Sequence, residues 1–160
     1  MTQGPKFVDF PETHLAGVCL RMSHVRDRTS ELWRAFRSAT PSIAGRVGRE
    51  SFSVRIYDDR YSFTRFDPTA EFNKWAAAEV GADAVFQDGL ERLVIPAGRY
   101  AEFLHVGPAA TAPKTFGYIY GEWLPASGYD LDERPHFEIL PEGYDPFDNF
   151  AKERILIPIC

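Results

Sequence analysis

Short segments in which apolar and polar residues alternate recur along the chain, and a period of two is typical of half-buried β-strands. The clearest is "SFSVRIYDD", in which Phe52, Val54 and Ile56 share one face and Ser53, Arg55 and Tyr57 share the other. We predict a strand there, closed by a turn at the Asp-Asp pair. Further strands are predicted at Leu15 to Met22, as a pair in "LERLVIPAGRYAEFLHVG" that bends at Pro96-Ala97-Gly98, and in "PHFEIL" and "RILIPI".

Two segments place apolar residues at helical spacing, and each is followed by a proline that stops the pattern. The first apolar face consists of Leu32, Trp33, Phe36 and Ala39, and its stop is Pro41. The second consists of Phe116, Ile119, Tyr120 and Trp123, and its stop is Pro125. A third segment, "EFNKWAAAEV", is ambiguous because its Ala content suits a helix, whereas its position between turn signals also allows a strand. We predict a strand.

The predicted elements follow one order twice, strand, helix, strand and strand, with a break near residues 81–89. We therefore expect an α+β fold with two repeats, at about residues 15–80 and 90–160. Neither half alone could bury both faces of its helix and sheet, so we expect residues 1–160 to form one domain. Pro158 lacks an N–H for pairing, so the last strand is predicted at an edge or with its proline nitrogen facing outward. Ile155, Ile157 and Ile159 would share its buried face.

Composition excludes several classes of protein. The 160 residues and 44% hydrophobic content are enough for a real core. A net charge of -5 without a basic stripe argues against binding nucleic acid, so no direct DNA binding is expected. The two cysteines, Cys19 and Cys160, do not indicate a disulfide framework and fit a reducing, cytoplasmic setting. The sequence shows no signal-peptide pattern and no apolar run of membrane-spanning length, so no membrane partner is expected.

Motifs for cofactor and metal chemistry are absent from the sequence. It contains no GxxxxGK[ST] phosphate loop, no GxGxxG after a strand and no GxSxG elbow. The four histidines, His14, His24, His105 and His136, are scattered, with no HExxH or CxxC spacing. We therefore predict no metal site and no cofactor.

The strand "PHFEIL" carries an acid, Glu138, between Phe137 and Ile139. Alternation places Glu138 on one face with His136, and the two apolar neighbours on the other. In one interpretation Glu138 is a solvated residue on an outer face, because glutamate is rarely buried without a partner. In the other it lies in an aromatic cleft, where burial costs several kcal/mol unless a cation, such as a ring-stacked organic cation, compensates it.

Aromatic residues make up 14% of the chain, and such residues both fill cores and line pockets for flat molecules and organic cations. On the second helix, Phe116, Tyr120 and Trp123 are candidates for lining a cleft, although residues at helical spacing are more often part of the core. Tyr57, Trp75 and Phe103 are further candidates, each of which could face either side of its strand.

Several of these segments resemble one known family. Over residues 90–160, "LVIPAGRYAEFLHVGP", "FGYIYGEWLPASGYDLDERPHFEILPEGYDP" and "ERILIPI" are together similar to the GyrI-like domain, which is also the effector-binding domain of AraC-type and MerR-type bacterial regulators. The first half is similar in element order and in its "SFSVRIYDD" strand. The resemblance implies a curved antiparallel sheet of two strand-helix-strand-strand modules, related by a pseudo-two-fold axis, with two main helices and a central cleft.

The resemblance also implies a role, which is the binding of hydrophobic and often cationic small molecules, of the multidrug or effector type, in that cleft. In drug-binding members a buried glutamate on the strand before the last meets the cation, and Glu138 occupies that place here. Tyr120 and Trp123 in "YGEWLP" match the family's helix pattern. The regulators carry a separate helix-turn-helix region that this sequence lacks, so we expect a stand-alone ligand-binding domain.

Three hypotheses for function remain. A binding module would bind hydrophobic cations without turnover, and this is the interpretation we favour. A hydrolase would act on strained electrophilic small molecules with Glu138 as general base. A modulator similar to the gyrase-inhibiting relatives would need a protein partner, whose surface the sequence does not identify.

Overall fold

The structure is a computed structural model that describes residues 4–86 and 89–160, except for the side chain of Ser42. Within these ranges the eight strands are β1 Lys6–Phe10, β2 Thr13–Met22, β3 Arg46–Tyr57, β4 Phe72–Val80, β5 Glu91–Ile95, β6 Gly98–Val106, β7 His136–Leu140 and β8 Lys152–Pro158. The α-helical segments are α1 Thr29–Ala39, α2 Ala112–Tyr118 and α3 Leu124–Ser127. Short 3₁₀ turns lie at Thr40–Ser42 and Ala109–Thr111, and a π-helical turn, Ile119–Trp123, joins α2 to α3.

The strands form one sheet in the order β1-β6-β8-β7-β3-β4-β2-β5, and every pairing is antiparallel. In this order β1 and β6 lie at one end of the sheet, and β2 and β5 lie at the other. Two short connections nevertheless join these ends, since residues 11–12 link β1 to β2 and residues 96–97 link β5 to β6. Three Cα–Cα steps cover at most about 11 Å, so the two ends of the sheet must lie close together. The sheet is therefore strongly curled. This confirms the predicted α+β fold with a curved antiparallel sheet and two helical regions.

One face of the sheet forms the main core. Val54 of β3, Trp75 of β4, Phe137 of β7 and Leu156 of β8 stand side by side in register on this face. Every strand of the sheet adds at least one apolar side chain to the same cluster, as expected for the inside of a curled sheet. The sheet is therefore held together by a dry cluster on its inner face.

The opposite, outer face carries the helices in two separate places. Leu32 and Phe36 of α1 pack against β2 and β4. Ile119, in the π-helical turn, packs with Phe103 of β6 and Ile155 of β8. Because the helical regions stand over different strands, the outer face of β3 and β7 between them is left without a helix above it.

The second helical region differs from the prediction at Pro125. That proline does not end the helix, because it lies in the first turn of α3, where its missing N–H needs no helical partner. The helix continues to Ser127 and ends at Gly128, whose φ of 78° is the left-handed conformation that favours glycine. The sequence pattern also missed the π-helical turn that precedes α3.

The strand predictions were confirmed with two corrections. The ambiguous segment "EFNKWAAAEV" is strand β4, and Ile155, Ile157 and Ile159 share one buried cluster. The first strand is β1, which the sequence pattern missed. The prediction of an edge position for the last strand is wrong, since β8 lies between β6 and β7. Pro158 is tolerated because it is the last residue of β8 and lies beyond the stretch that pairs with β7.

The connector predicted at "GADAVFQDG" lies partly outside the described residues, and the division into two repeats within one domain stays a prediction. Within residues 4–86 and 89–160, the structure has no helix that is both long enough and apolar enough to cross a bilayer.

Candidate functional site

A large cavity occupies the outer face of the sheet between the two helical regions. Its volume is about 1650 Å³. The floor is formed by outer-face residues of β3, β4, β7 and β8, and the sides by α1, α2 and the loops at residues 58–71 and 141–151. The gap between the helices described above is therefore an open space above a sheet that is buried on its other face.

Aromatic rings form one side of this cavity. Tyr57 at the end of β3 contacts Tyr61 and Phe63 of the following loop, with ring centroids 4.4 and 4.9 Å apart. Phe116 and Tyr120 of the second helical region lie parallel, at 6.4 Å and 10°. These rings expose faces and edges suited to flat apolar groups and to cations.

An ion pair lies on the cavity floor. Glu138 is paired with Arg55 through its Oε1 atom, and their side chains are 8% and 11% exposed. The sheet register explains the contact, because Ser53 stands opposite Glu138 and Arg55 opposite His136, which makes Arg55 and Glu138 diagonal neighbours on one face. The Arg55 guanidinium also lies 4.4 Å above the centroid of the Phe116 ring. Glu138 is therefore neither a solvated outer-face residue nor an uncompensated buried charge.

Two further charged residues are nearly buried in the cavity wall. Lys74 of β4 donates a hydrogen bond from Nζ to Thr29 Oγ1 at 3.0 Å, and burial lowers the pKa of Lys74. Glu153 of β8 accepts a hydrogen bond from the Tyr144 hydroxyl at 2.9 Å on Oε1. Its buried Oε2 atom has no hydrogen-bond partner among the described residues. Burial, followed by the nearby charge of Glu138, raises the pKa of Glu153.

His136 stands beside the ion pair in β7 and remains neutral. Its ring is 5% exposed, and burial together with the Arg55 charge lowers its pKa to about 3. The Tyr120 hydroxyl and His136 Nδ1 form a hydrogen bond of 2.7 Å. The imidazole therefore acts at neutral pH as a flat, uncharged ring that also holds Tyr120 in position.

The structure places four of the seven predicted site residues in the cavity wall, namely Glu138, Tyr57, Phe116 and Tyr120. The other three do not line the cavity and are corrected here. Trp75 faces the opposite side of the sheet, in the main core. Phe103 and Trp123 pack against each other under the second helical region, with ring centroids 5.1 Å apart.

The side chains of Tyr120 and Trp123 point in different directions because of the local helix geometry. Three residues apart on a regular α-helix, they would share a face. The wider π-helical turn over Ile119–Trp123 changes the angular spacing, so Tyr120 faces the cavity while Trp123 packs onto Phe103 and Tyr129. A single sequence carries no clear signal for such a turn.

Sequence reasoning missed several residues of the cavity wall, including Arg55, Lys74, Glu153, Tyr61 and Phe63. For Arg55 and Lys74 a signal existed, since both interrupt strands that are otherwise rich in apolar residues. The strand register that brings Arg55 to Glu138 could not be deduced from the alternation alone.

The chain is similar in sequence to a transcriptional regulator and in fold to several solved structures. Transcriptional regulator BrlR of Pseudomonas aeruginosa is 26% identical over 155 residues, covering 96% of this chain, which in turn spans 54% of BrlR. A solved structure of SAV2435 bound to tetraphenylphosphonium has a TM-score of 0.72 at 10% identity, covering 99% of this chain and 94% of that chain. The EcmrR C-terminal domain has a TM-score of 0.71 at 14% identity, covering 100% of this chain and 98% of that chain.

A family comparison agrees with this fold. The family model of the GyrI-like small molecule binding domain matches residues 3–159, which is nearly the whole chain. The cavity, the curled sheet with its two helical regions and the buried glutamate on β7 all lie within this range. The chain therefore belongs to the GyrI-like family of small-molecule-binding domains.

Proposed function

We propose that this chain binds hydrophobic organic cations in the cavity above β3 and β7, with the cationic centre beside Glu138. The observation that carries the proposal is a glutamate, only 6% exposed, in the wall of a large aromatic cavity. Ligand sites are concave and largely apolar, with a few polar groups that orient the ligand. A volume of about 1650 Å³ is above the common range for drug-sized ligands and suits bulky or varied molecules.

The contacts of Arg55 support a cation at this position. Its guanidinium already lies between a carboxylate, Glu138, and the face of the Phe116 ring. The same corner of the cavity would therefore stabilise a cationic ligand through the same two groups. Arg55 engages Glu138 Oε1, and no hydrogen bond from a described residue reaches Oε2. That second oxygen is the contact we assign to the ligand.

Two comparisons give further support. The similar structure of SAV2435 holds tetraphenylphosphonium, which is a bulky aromatic cation. The relative BrlR is a transcriptional regulator, and small-molecule binding would be the effector-sensing step in such a protein. By this analogy, the native role of this chain is sensing or sequestering a hydrophobic cation.

A matched pair of ligands tests the charge preference. Tetraphenylphosphonium and tetraphenylborate have nearly the same shape and opposite charges, and calorimetric titration measures both affinities. We expect the cation to bind more tightly. Glu138→Gln should lower the affinity for the cation by about tenfold, as expected for a lost charge-assisted contact. It should not lower the affinity for the anion. The control is Glu142→Gln at the cavity rim, where the side chain is 65% exposed and paired with Arg49.

Equal affinity for the two ions would refute the cation preference. Tighter binding of the anion would assign the site to anions through Arg55 and Lys74. The hydrolase alternative is tested on the same samples, by following strained electrophiles such as epoxides for turnover. Arg55 already binds one oxygen of Glu138, so we expect no turnover that depends on this carboxylate as a base.

A further inference from the structure

A second, smaller cavity lies next to the first. Its volume is about 590 Å³, and its wall includes Leu124, Pro125 and Leu131 from the far side of the second helical region. Three aromatic residues, Tyr61, Phe63 and Tyr120, line both cavities. The side chains of these rings therefore belong to the walls of both spaces.

The Phe63 ring is held as a flat ligand would be. It lies parallel to the His136 ring, at 8° with 5.3 Å between centroids, and nearly parallel to the Tyr120 ring, at 27° and 4.7 Å. The Tyr57 ring meets it edge-on at 80° and 4.9 Å. Such parallel and edge-on contacts are the preferred arrangements of aromatic pairs. His136 and Tyr120 lie on neighbouring sides of the Phe63 ring, with 6.0 Å between their own centroids, and Tyr57 meets its edge. The three rings thus form a recess for one flat ring, which we call the slot.

Phe63 belongs to a loop that can release it without breaking the sheet. The loop, residues 58–71, is anchored near its ends, where Arg21 pairs with Asp58 and the Val25 N–H donates to the Pro68 carbonyl at 3.1 Å. Near the tip, the backbone hydrogen bonds are local, with the N–H groups of Thr64 and Arg65 donating to Ser62 Oγ at 3.3 and 3.0 Å. Tyr61 also reaches another segment, since its hydroxyl lies 3.4 Å from His24 Nε2. Moving Phe63 out of the slot therefore costs ring contacts and no strand pairing.

We propose that Phe63 is a resident occupant of a slot for a flat, uncharged aromatic ring, and that a ligand ring displaces it and joins the two cavities into one site. The proposal rests on ligand binding in this cavity and is independent of the ligand's charge. The slot presents ring faces and a neutral imidazole, and the Arg55–Glu138 pair supplies the charged contacts elsewhere in the cavity. The native ligand would then combine a cationic centre with at least one extended flat ring.

Displacement by the ligand has a measurable consequence. If the protein's own ring occupies the slot, apparent affinity is reduced by the fraction of molecules in which the slot is closed. Phe63→Ala removes the occupant, so a flat ligand should bind more tightly to this variant. If Phe63 were an ordinary wall residue, the same substitution would remove contacts and weaken binding.

The test uses acridine, a flat fluorescent probe that is uncharged at mildly alkaline pH, and tetraphenylphosphonium, which has no extended flat system. Phe63→Ala is expected to tighten acridine binding by about tenfold, as for removal of a competing ring that makes two stacking contacts. Phe150→Ala is the control, because Phe150 is an exposed phenylalanine, at 78%, that lines neither cavity. This control should leave acridine affinity unchanged.

A second variant tests whether the gain in acridine affinity comes from the slot. It also excludes a gain caused by rearrangement of the loop elsewhere. Adding Tyr120→Leu to Phe63→Ala removes one wall of the slot, and the gain in acridine affinity should disappear. Unchanged or weaker acridine binding to Phe63→Ala, with native-like melting, would overturn the proposal, as would a gain that survives the loss of Tyr120. Failure of tetraphenylphosphonium to bind the wild-type chain would count against the proposed function alone, because the acridine result does not depend on it.

Discussion

The two faces of β3 and β7 are built from alternate residues of the same strands, yet they have opposite chemistry. On the inner face, Val54 and Phe137 pack into an apolar cluster and have no solvent exposure. On the outer face, Arg55 and Glu138 are almost as buried, but they face an open cavity. Burial alone therefore does not separate core from site. The difference is that the charged side chains lie on the face that borders the cavity.

Physical cost explains why this difference is informative. A buried charge is expensive, and replacing a buried ion pair with apolar residues is often neutral or stabilising. Maintaining a buried Arg55–Glu138 pair, with Lys74 and Glu153 nearby, therefore indicates a use other than stability.

The first prediction compares one large aromatic residue from each face. Phe137→Ala should lower the free energy of unfolding by about 3–5 kcal/mol, because it leaves a cavity in a close-packed cluster. Phe116→Ala should cost about 1–2 kcal/mol, because Phe116 is only half-buried and lines a space that already exists. Urea unfolding of both variants measures the difference. Equal costs would show that the outer face is packed like the core.

The second prediction concerns the buried ion pair. Arg55→Met should destabilise the fold by about 2–3 kcal/mol, since it leaves Glu138 buried without its partner, in a cavity that water can enter. The double variant Arg55→Met with Glu138→Leu should recover most of that loss. Arg49→Met, which removes an exposed pair with Glu142, is the control and should cost at most about 1 kcal/mol. A double variant less stable than either single variant would contradict this account.

The third prediction uses pH to test the cavity face. The pKa of His136 is lowered to about 3 in the folded chain from 6.5, so the unfolded chain binds the extra proton between these values. The free energy of unfolding is therefore not reduced by this residue above pH 6.5, where His136 is neutral in both states. It decreases as the pH falls toward 3, by up to roughly 1.4 kcal/mol per pH unit. His136→Phe should flatten this dependence, as followed by urea unfolding at several pH values. An unchanged slope would assign the acid sensitivity to other groups.

The fourth prediction concerns Glu153 and is the smallest effect. Unlike the substitutions above, this one should raise the stability of the fold. The pKa of Glu153 is raised, so its folded-state ionisation at neutral pH is unfavourable, and stability falls as the pH rises through that pKa. Glu153→Gln should therefore stabilise the fold by up to about 1 kcal/mol at neutral pH. Glu102→Gln is the control with the reverse sign, because Glu102 is paired with Arg154 at 2.8 Å. Destabilisation by Glu153→Gln would disprove this prediction and show that the hydrogen bond from Tyr144 to the charged carboxylate outweighs the cost of its burial.

Much of the fold was predictable because alternation and helical spacing are local properties of the sequence. They located α1 and seven of the eight described strands, β3 most clearly. The exception, β1, lies between prolines, and its sequence "KFVDF" has adjacent apolar residues and no clear alternation. The central position of β8 was not predictable, because pairing order depends on contacts between distant segments.

Only part of the candidate site was predictable, because local alternation shows which residues share a face but not what covers that face. Alternation placed Glu138 on the opposite face from Phe137, and the family resemblance indicated which face matters. Neither could show that Trp75 faces the inner core, or that Phe103, although it is on the outer face, is covered by the second helical region. The partner of Glu138 depended on register, and the orientation of Trp123 depended on the π-helical turn.

The position of β8 has a consequence for how the chain acquires its structure. Within the described residues, β8 is the strand through which β1 and β6 are joined to β7, β3, β4, β2 and β5. During synthesis the ribosome releases residues 152–158 after all seven other strands, so two partial sheets must wait with exposed pairing edges until then. We expect nascent chains that end before Lys152 to be recognised by chaperones and proteases as unfinished. The cavity would then form in a single late step, when the last of its four floor strands is inserted.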